Sequence, residues 1–185
     1  MPTLSALLRH GALLLALAVP ALPAAHAADL QVILVRHAEK ASDDARDPSL
    51  SAAGQARAAA LASALADAGI SVVYATQFKR TQQTAAPTAA TAGVDVTVRD
   101  AGSDVAADAA TFAAHLRQHH RGDTVLVVGH SNTVPPLANA LLGRSAVAPI
   151  TDDEYDRLLL ISVPDAGHAR VVHARQPAIA ATPMP

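Results

Sequence analysis

A chain of 185 residues with a formal net charge of −2 has room for one domain with a full core, and no general basic surface for nucleic acid or an anionic membrane. It contains no cysteine, which excludes thiolate nucleophiles, disulfides and sulfur-ligated metals, and an aromatic content of 2% leaves little to stack on bases. Chemistry in this chain must run on His, Arg, Asp, Glu, Ser and Thr.

The opening stretch "MPTLSALLRHGALLLALAVPALPAAHAADL" has a basic start at Arg9, an apolar run over 11–22 and the small-x-small pattern Ala25-His26-Ala27. That is the pattern of a secretory signal over residues 1–27, cleaved before Ala28. The apolar run is shorter than the roughly 20 residues of a spanning helix. Pro20 and Pro23 also interrupt it. The expected location is periplasmic or secreted, with membrane contact only through the signal before cleavage. An oxidising space permits disulfides without requiring them.

From Ala28 onward strands and helices alternate. "LQVILV" and "DTVLVV" are continuously apolar and β-branched, as strands covered on both faces are, while "SVVYA", "VDVTV", "RLLLISV" and "ARVVHA" are weaker strand patterns. Ala-rich helical stretches fall at 51–68, with Gly69 as its stop, and at about 79–92, 105–120 and 134–142. This alternation predicts an α/β three-layer sandwich over residues 28–175, with a mainly parallel central sheet, helices on both faces and a loose Pro/Ala-rich tail at 176–185. In such folds ligands collect at the carboxyl ends of the strands.

That rule makes "QVILVRHAEK" informative, because it delivers Arg36 and His37 to a strand end. "DTVLVVGHSNTVPPLANALLG" does the same for His130 and runs at once into a helix, where Ser131, Asn132 and Thr133 are good capping residues and open amides attract an anion. "YATQFKRTQQTAAPTAA" puts Arg80 at the start of another helix after a strand. Two fixed cations and two imidazoles at one edge suit a phosphoryl group, since guanidinium binds its oxygens in a two-pronged fashion and keeps its charge. A histidine nucleophile must be bare at the attacking nitrogen, so its other nitrogen must donate to a fixed acceptor such as a backbone carbonyl.

"LVRHAEK", "YATQFKRTQQTA" and "VVGHSN", with the helix "LSAAGQARAAAL", resemble in order and spacing the histidine phosphatase superfamily, in its phosphoglycerate mutase-like branch. The resemblance runs from Leu30 to about Leu142. It implies a phosphoglycerate mutase-like fold and His37 as the nucleophile that becomes phosphohistidine. Arg36, Arg80 and His130 would hold the phosphoryl oxygens beside Ser131 and Asn132, with no metal and no organic cofactor. The family's glutamate general acid, in the segment after the third strand, has no counterpart in "VDVTVRDAGSDVAADAATF". Asp104 is the general-acid candidate there and equally a helix cap, with Asp100 and Glu39 as further candidates.

Two other features read more simply. His115 and His119 stand one helical turn apart, as metal ligands can, but without an evident third ligand they suit a solvated helix end. "ITDDEYDR" is an acidic run that could gate the pocket and reads first as a solvated loop. Lys40 either extends the pocket's positive field or lies in solvent. The reading is an exported phosphatase acting on phosphomonoesters, its partner a small phosphorylated substrate or a phosphorylated envelope component. The alternatives are a non-catalytic phosphate-sensing module of the same fold and a phosphoglycerate mutase-type phosphotransferase.

Overall fold

The computed structural model of the protein describes residues 29–178. The signal predicted over 1–27 and the tail residues 179–185 lie outside them. In chain order the elements are β1 (Leu30–Arg36), α1 (Ala52–Ala64), β2 (Val72–Thr76), α2 (Lys79–Ala92), β3 (Val96–Arg99), α3 (Val105–His119), β4 (Thr124–Gly129), α4 (Val134–Leu142), β5 (Arg157–Val163) and β6 (Arg170–Arg175). The six strands make one sheet in the order β3-β2-β4-β1-β5-β6. β1 to β4 are parallel; β5 is antiparallel to β1, and β6, antiparallel to β5, resumes the common direction. The sheet is therefore mainly parallel with one reversed strand, as the alternating pattern predicts.

The two-residue period of the strands divides the core between the faces. Val32 and Leu34 of β1 pack with Val125, Val127, Leu159 and Ile161 against α3 and α4 through Phe112, Leu116, Leu137 and Leu141. Ile33 and Val35 point the other way, with Val73, Leu126, Val128 and Leu158, against α1 and α2 through Leu61, Leu65, Ala85 and Ala89. The uninterrupted apolar runs 32–35 of β1 and 125–128 of β4 thus follow from helices on both faces, beneath a carboxyl edge that carries polar groups.

α1 ends at Ala64, short of the predicted 68. The Leu65 amide still reaches Leu61 O at 3.0 Å, but the Ala66 and Ala68 amides close tighter turns onto Ser63 and Leu65. Gly69, predicted as the stop, instead carries the chain from these turns into β2 at φ +65°, where a side chain would be strained. At the start of α1 the Ser51 hydroxyl caps the Gly54 amide at 3.1 Å, and the Ser51 amide bonds Glu39 O at 2.9 Å. A Cβ on Gly54 would stand 2.1 Å from that same Glu39 oxygen, so only glycine lets α1 press against the loop leaving β1. Gln176, assigned by composition to the loose tail, is buried and donates through Nε2 to Tyr155 O at 3.0 Å.

Candidate active site

The parallel strands bring their carboxyl ends to one edge. His37 follows β1 and its amide bonds Gly129 O at 2.9 Å, which locks the exit of β1 to the exit of β4. Because β5 runs the opposite way, the acidic loop before it arrives at the same edge. A cavity of about 410 Å³ opens there; Arg36, His37, Lys40, Arg80, His130 and Asp152 supply its ionisable groups, and Ser131 and Asn132 also line it. The predicted pocket residues other than Asp104 are thus gathered in one place, Lys40 among them.

His37 is buried, and its Nδ1 lies 2.8 Å from Ala38 O. A carbonyl only accepts, so Nδ1 carries the proton and Nε2 is bare. Burial lowers the His37 pKa to about 4; the Ala38 carbonyl opposes this and the charges of Arg36, Arg80 and Lys40 add to it. The ring is neutral with a fixed tautomer, the state that nucleophilic attack requires. The Ala38 amide in turn donates to Thr84 Oγ1 at 3.0 Å, and Thr84 donates to Arg80 O at 2.7 Å. One hydroxyl therefore ties the loop that carries His37 to the helix turn that bears Arg80.

The two guanidiniums differ. Arg36 Nη1 donates to Thr151 O at 2.8 Å and to Asp152 O and Glu154 O at 3.0 Å, while its Cζ sits 4.1 Å from the centre of the Tyr155 ring. Its Nε is buried with no partner. One amino group is thus spent on the loop before β5, and the remaining edge through Nε is the one an oxyanion can bridge. Arg80 is half-buried over Phe78, 4.4 Å from its ring centre, with Asp47 at 3.8 Å.

His130 is buried between His37, at 5.4 Å between ring centres, and Phe78, at 5.3 Å. Burial and the neighbouring His37, Arg80 and Arg36 lower its pKa to about 3. Its Nε2 meets Thr76 Oγ1 at 3.0 Å. The start of α4 offers an anion less than its sequence predicts. The Thr133 and Val134 amides both bond His130 O, and Pro135 and Pro136 have no N–H. The amides of Ser131 and Asn132 are those left without a backbone partner among the described residues.

No predicted general acid enters the cavity. Asp104 Oδ1 accepts from the Ala106 and Ala107 amides at 3.1 Å and caps α3; its neighbours Gly102 and Val105 line the cavity and it does not. This corrects the placement of Asp104 in the pocket: the free amides at the start of α3 hold its carboxylate at the cap. Asp100 is exposed and does not line the cavity either. Glu39 is held by Arg57 through Nε at 2.9 and 3.0 Å and Nη2 at 2.5 Å. Burial alone would raise the Glu39 pKa, but the Arg57 bonds outweigh it and keep the carboxyl below its usual range, the wrong direction for an acid. The carboxylate that does line the cavity is Asp152, in the run read from sequence as a solvated loop. Its signal was the strand direction of β5, which composition does not carry.

His115 and His119 pack with ring centres 4.7 Å apart. Tyr74 hydroxyl meets His115 Nε2 at 3.2 Å and His120 Nε2 at 2.9 Å, and His120 Nδ1 meets Asp123 at 2.9 Å. Among the described residues no three His, Asp or Glu side chains converge as a metal site.

Residues 32–102 match the family model of the histidine phosphatase superfamily (branch 1), a stretch that contains Arg36, His37 and Arg80 and stops before His130. No curated protein matches the chain. Among solved structures, a mycobacterial glucosyl-3-phosphoglycerate phosphatase superposes with a TM-score of 0.62 at 16% identity, over 76% of this chain and 96% of that one. The protein histidine phosphatase SixA, complexed with tungstate, gives 0.62 at 20% identity over 78% and 96%. A phosphoserine phosphatase from Entamoeba histolytica, in complex with 3-phosphoglyceric acid, gives 0.63 at 14% identity over 80% and 98%. At these identities the likeness establishes the fold.

Proposed function

We propose that the chain is an exported phosphatase of the histidine phosphatase superfamily, which hydrolyses phosphomonoesters through a phosphohistidine on His37. The observation that carries this reading is a neutral histidine, its tautomer set by Ala38 O, beside a buried guanidinium with an unpartnered Nε. The family match over 32–102 and the phosphatase names of the structural neighbours support it. In the first step Nε2 of His37 bonds to phosphorus while the ester P–O bond breaks, and the leaving oxygen takes a proton from solvent water. In the second, water bonds to phosphorus as the P–N bond breaks, a proton leaves the water, and phosphate departs from neutral His37. Arg36, Arg80 and His130 stabilise the charge on the equatorial oxygens, with the Ser131 and Asn132 amides beside them.

The leaving group decides the substrates. A positioned general acid contributes roughly 10²–10⁴-fold; Asp104 and Glu39 are both engaged elsewhere, and Asp152, though it lines the cavity, is exposed, with no hydrogen bond among the described residues to position its carboxyl. The purified domain should therefore release phosphate from aryl phosphates at least about a hundredfold faster than from alkyl phosphates. Asp104→Ala should lower thermal stability by about 1 kcal/mol, the usual cost of a lost cap, and leave the aryl-to-alkyl ratio unchanged. A selective loss on alkyl phosphates in that variant would restore Asp104 as the acid. Phosphate bound but no ester turned over would favour the sensing module.

Export rests on the pattern of residues 1–27. Protein recovered from the periplasm of a bacterial host should have an intact mass beginning at Ala28; a full-length mass in the cytosol would remove export from the proposal.

A further inference from the structure

The loop over residues 41–49, between β1 and α1, brings a carboxylate to Arg80. Its ends are closed by the Lys40–Leu50 bridge and by the Ala41 amide on Ser49 O at 2.8 Å, and the Leu50 amide donates to Gln83 Oε1 of α2 at 2.7 Å. The loop is therefore docked on α2. Its three aspartates are used differently. Asp43 accepts from the Ser49 amide at 3.1 Å and the Ser49 hydroxyl at 2.6 Å, and Asp44 Oδ1 accepts from the Arg46 and Asp47 amides at 2.8 and 3.2 Å. These two shape the loop, with Asp44 also facing the exposed Lys79 Nζ at 3.7 Å. Asp47 turns to the helix instead, where its Oδ1 accepts the Lys79 amide at 2.9 Å.

That bond caps α2 from a distance in sequence. The N-cap residue, Phe78, has no side-chain oxygen and makes no capping bond of its own. The same Asp47 Oδ1 stands 3.8 Å from Arg80 Nη1, beyond hydrogen-bond reach but close enough for the two charges to act on each other. The Lys79 amide thus holds the carboxylate back, so Asp47 offsets the charge of Arg80 without occupying its N–H groups. Burial lowers the Arg80 pKa, Asp47 opposes this, and the Arg36 charge adds to it. Within the cavity Arg36, Arg80 and Lys40 face the single carboxylate of Asp152. Such an excess of positive charge holds free phosphate as well as the transferring group, and tight binding of both alike does not raise turnover.

We propose that Asp47 is a positioning residue that acts through Arg80: it fixes the helix turn that bears the guanidinium and, as a permanent counter-charge, weakens the grip of the site on free phosphate. The benefit, easier escape of the product, rests on the phosphatase reading; the effect on phosphate affinity does not. Arg36 has no such partner, since its Nη1 is held by the uncharged carbonyls of Thr151, Asp152 and Glu154. The two arginines thus divide the work, one fixed by neutral acceptors and one tempered by a charge.

The test is calorimetric titration of the purified protein with inorganic phosphate at low and high salt. Asp47→Asn keeps an oxygen for the Lys79 amide and removes the charge. At low salt it should bind phosphate roughly three- to tenfold more tightly than the wild type, as expected for one charge removed a few ångströms beyond contact from a phosphate dianion. The gain should fade near about 1 M salt, where the screening length is about 3 Å. Inhibition of aryl phosphate hydrolysis by phosphate should strengthen by the same factor. Asp47→Ala loses the cap as well and should melt at a lower temperature than Asp47→Asn. Should Asp47→Asn not fold, Asp47→Ser, uncharged and of a capping type, carries the same comparison. An affinity at low salt equal to or below that of the wild type, or a gain undiminished at high salt, overturns the counter-charge. Failure of the phosphatase reading looks different: the wild type then binds phosphate and hydrolyses no ester, while the comparison of affinities still decides the role of Asp47. A wild type that binds no phosphate at low salt overturns both.

Discussion

His37→Ala should abolish phosphoryl transfer, with turnover falling by at least about 10⁴-fold, as expected when a nucleophile is removed from a unit that acts as a whole. Brief mixing of the wild type with a labelled monoester should trap a base-stable, acid-labile phosphoenzyme, and the variant should trap none. Label retained in the variant would falsify the assignment of His37. The same substitution has a second, independent readout. The folded His37 pKa, about 4, lies below the unfolded value of 6.5, so between them the unfolded chain binds the extra proton. This contribution is present above pH 6.5 and is lost as pH falls through the window down to about 4. His130 behaves alike, with a window reaching down to about 3. A thermal-melt series from pH 7 to pH 4 should thus slope less steeply for His37→Ala than for the wild type. Activity on the wild type should persist down to about pH 5 and fall only as Nε2 takes a proton near pH 4.

The two arginines should separate. Both substitutions to alanine should lower turnover by a factor on the order of a hundred or more, because each removes charge stabilisation from the transferring group. Arg80→Ala should do so with stability changed by no more than about 1 kcal/mol, since its ion pair to Asp47 is loose at 3.8 Å and partly in solvent. Arg36→Ala should also destabilise the fold by roughly 2–5 kcal/mol, because three carbonyls of the loop before β5 lose their common donor. The measurement is turnover and thermal midpoint on both variants. Equal stability for the two would mean that the carbonyl cluster on Arg36 contributes nothing, and undiminished turnover in either would take that residue out of the pocket.

Among the described residues the six strands and four helices were legible from continuous apolar runs for β1 and β4, weaker alternating patterns for the other strands, and Ala-rich stretches for the helices. The edge that carries Arg36, His37, Arg80 and His130 followed from the rule on strand ends, which needs no knowledge of strand order. What periodicity cannot convey is direction. Nothing in "RLLLISV" says that β5 is reversed, and that reversal brings Asp152, Tyr155 and the carbonyls for Arg36 to the site. Asp104 illustrates a different limit: one carboxylate at a helix start satisfies two descriptions, and only its bonds to Ala106 and Ala107 tell them apart. At α4 the capping residues predicted open amides for an anion, but Pro135 and Pro136 have no N–H to offer.

The strand order also governs how the protein comes into being on the ribosome. Among the described strands β1 is made first, yet its partners in the sheet are β4, reached at Thr124, and β5, reached at Arg157. For most of synthesis "LQVILV" is therefore a short, β-branched, uncharged segment with both edges open, the kind that pairs with copies of itself. Such long-range pairing is slow to form, because the intervening loop must close before any contact is gained. A nascent chain of this topology depends on something to keep β1 apart until its neighbours emerge, and pulse-labelled chains released before residue 124 should aggregate where chains released after residue 163 do not.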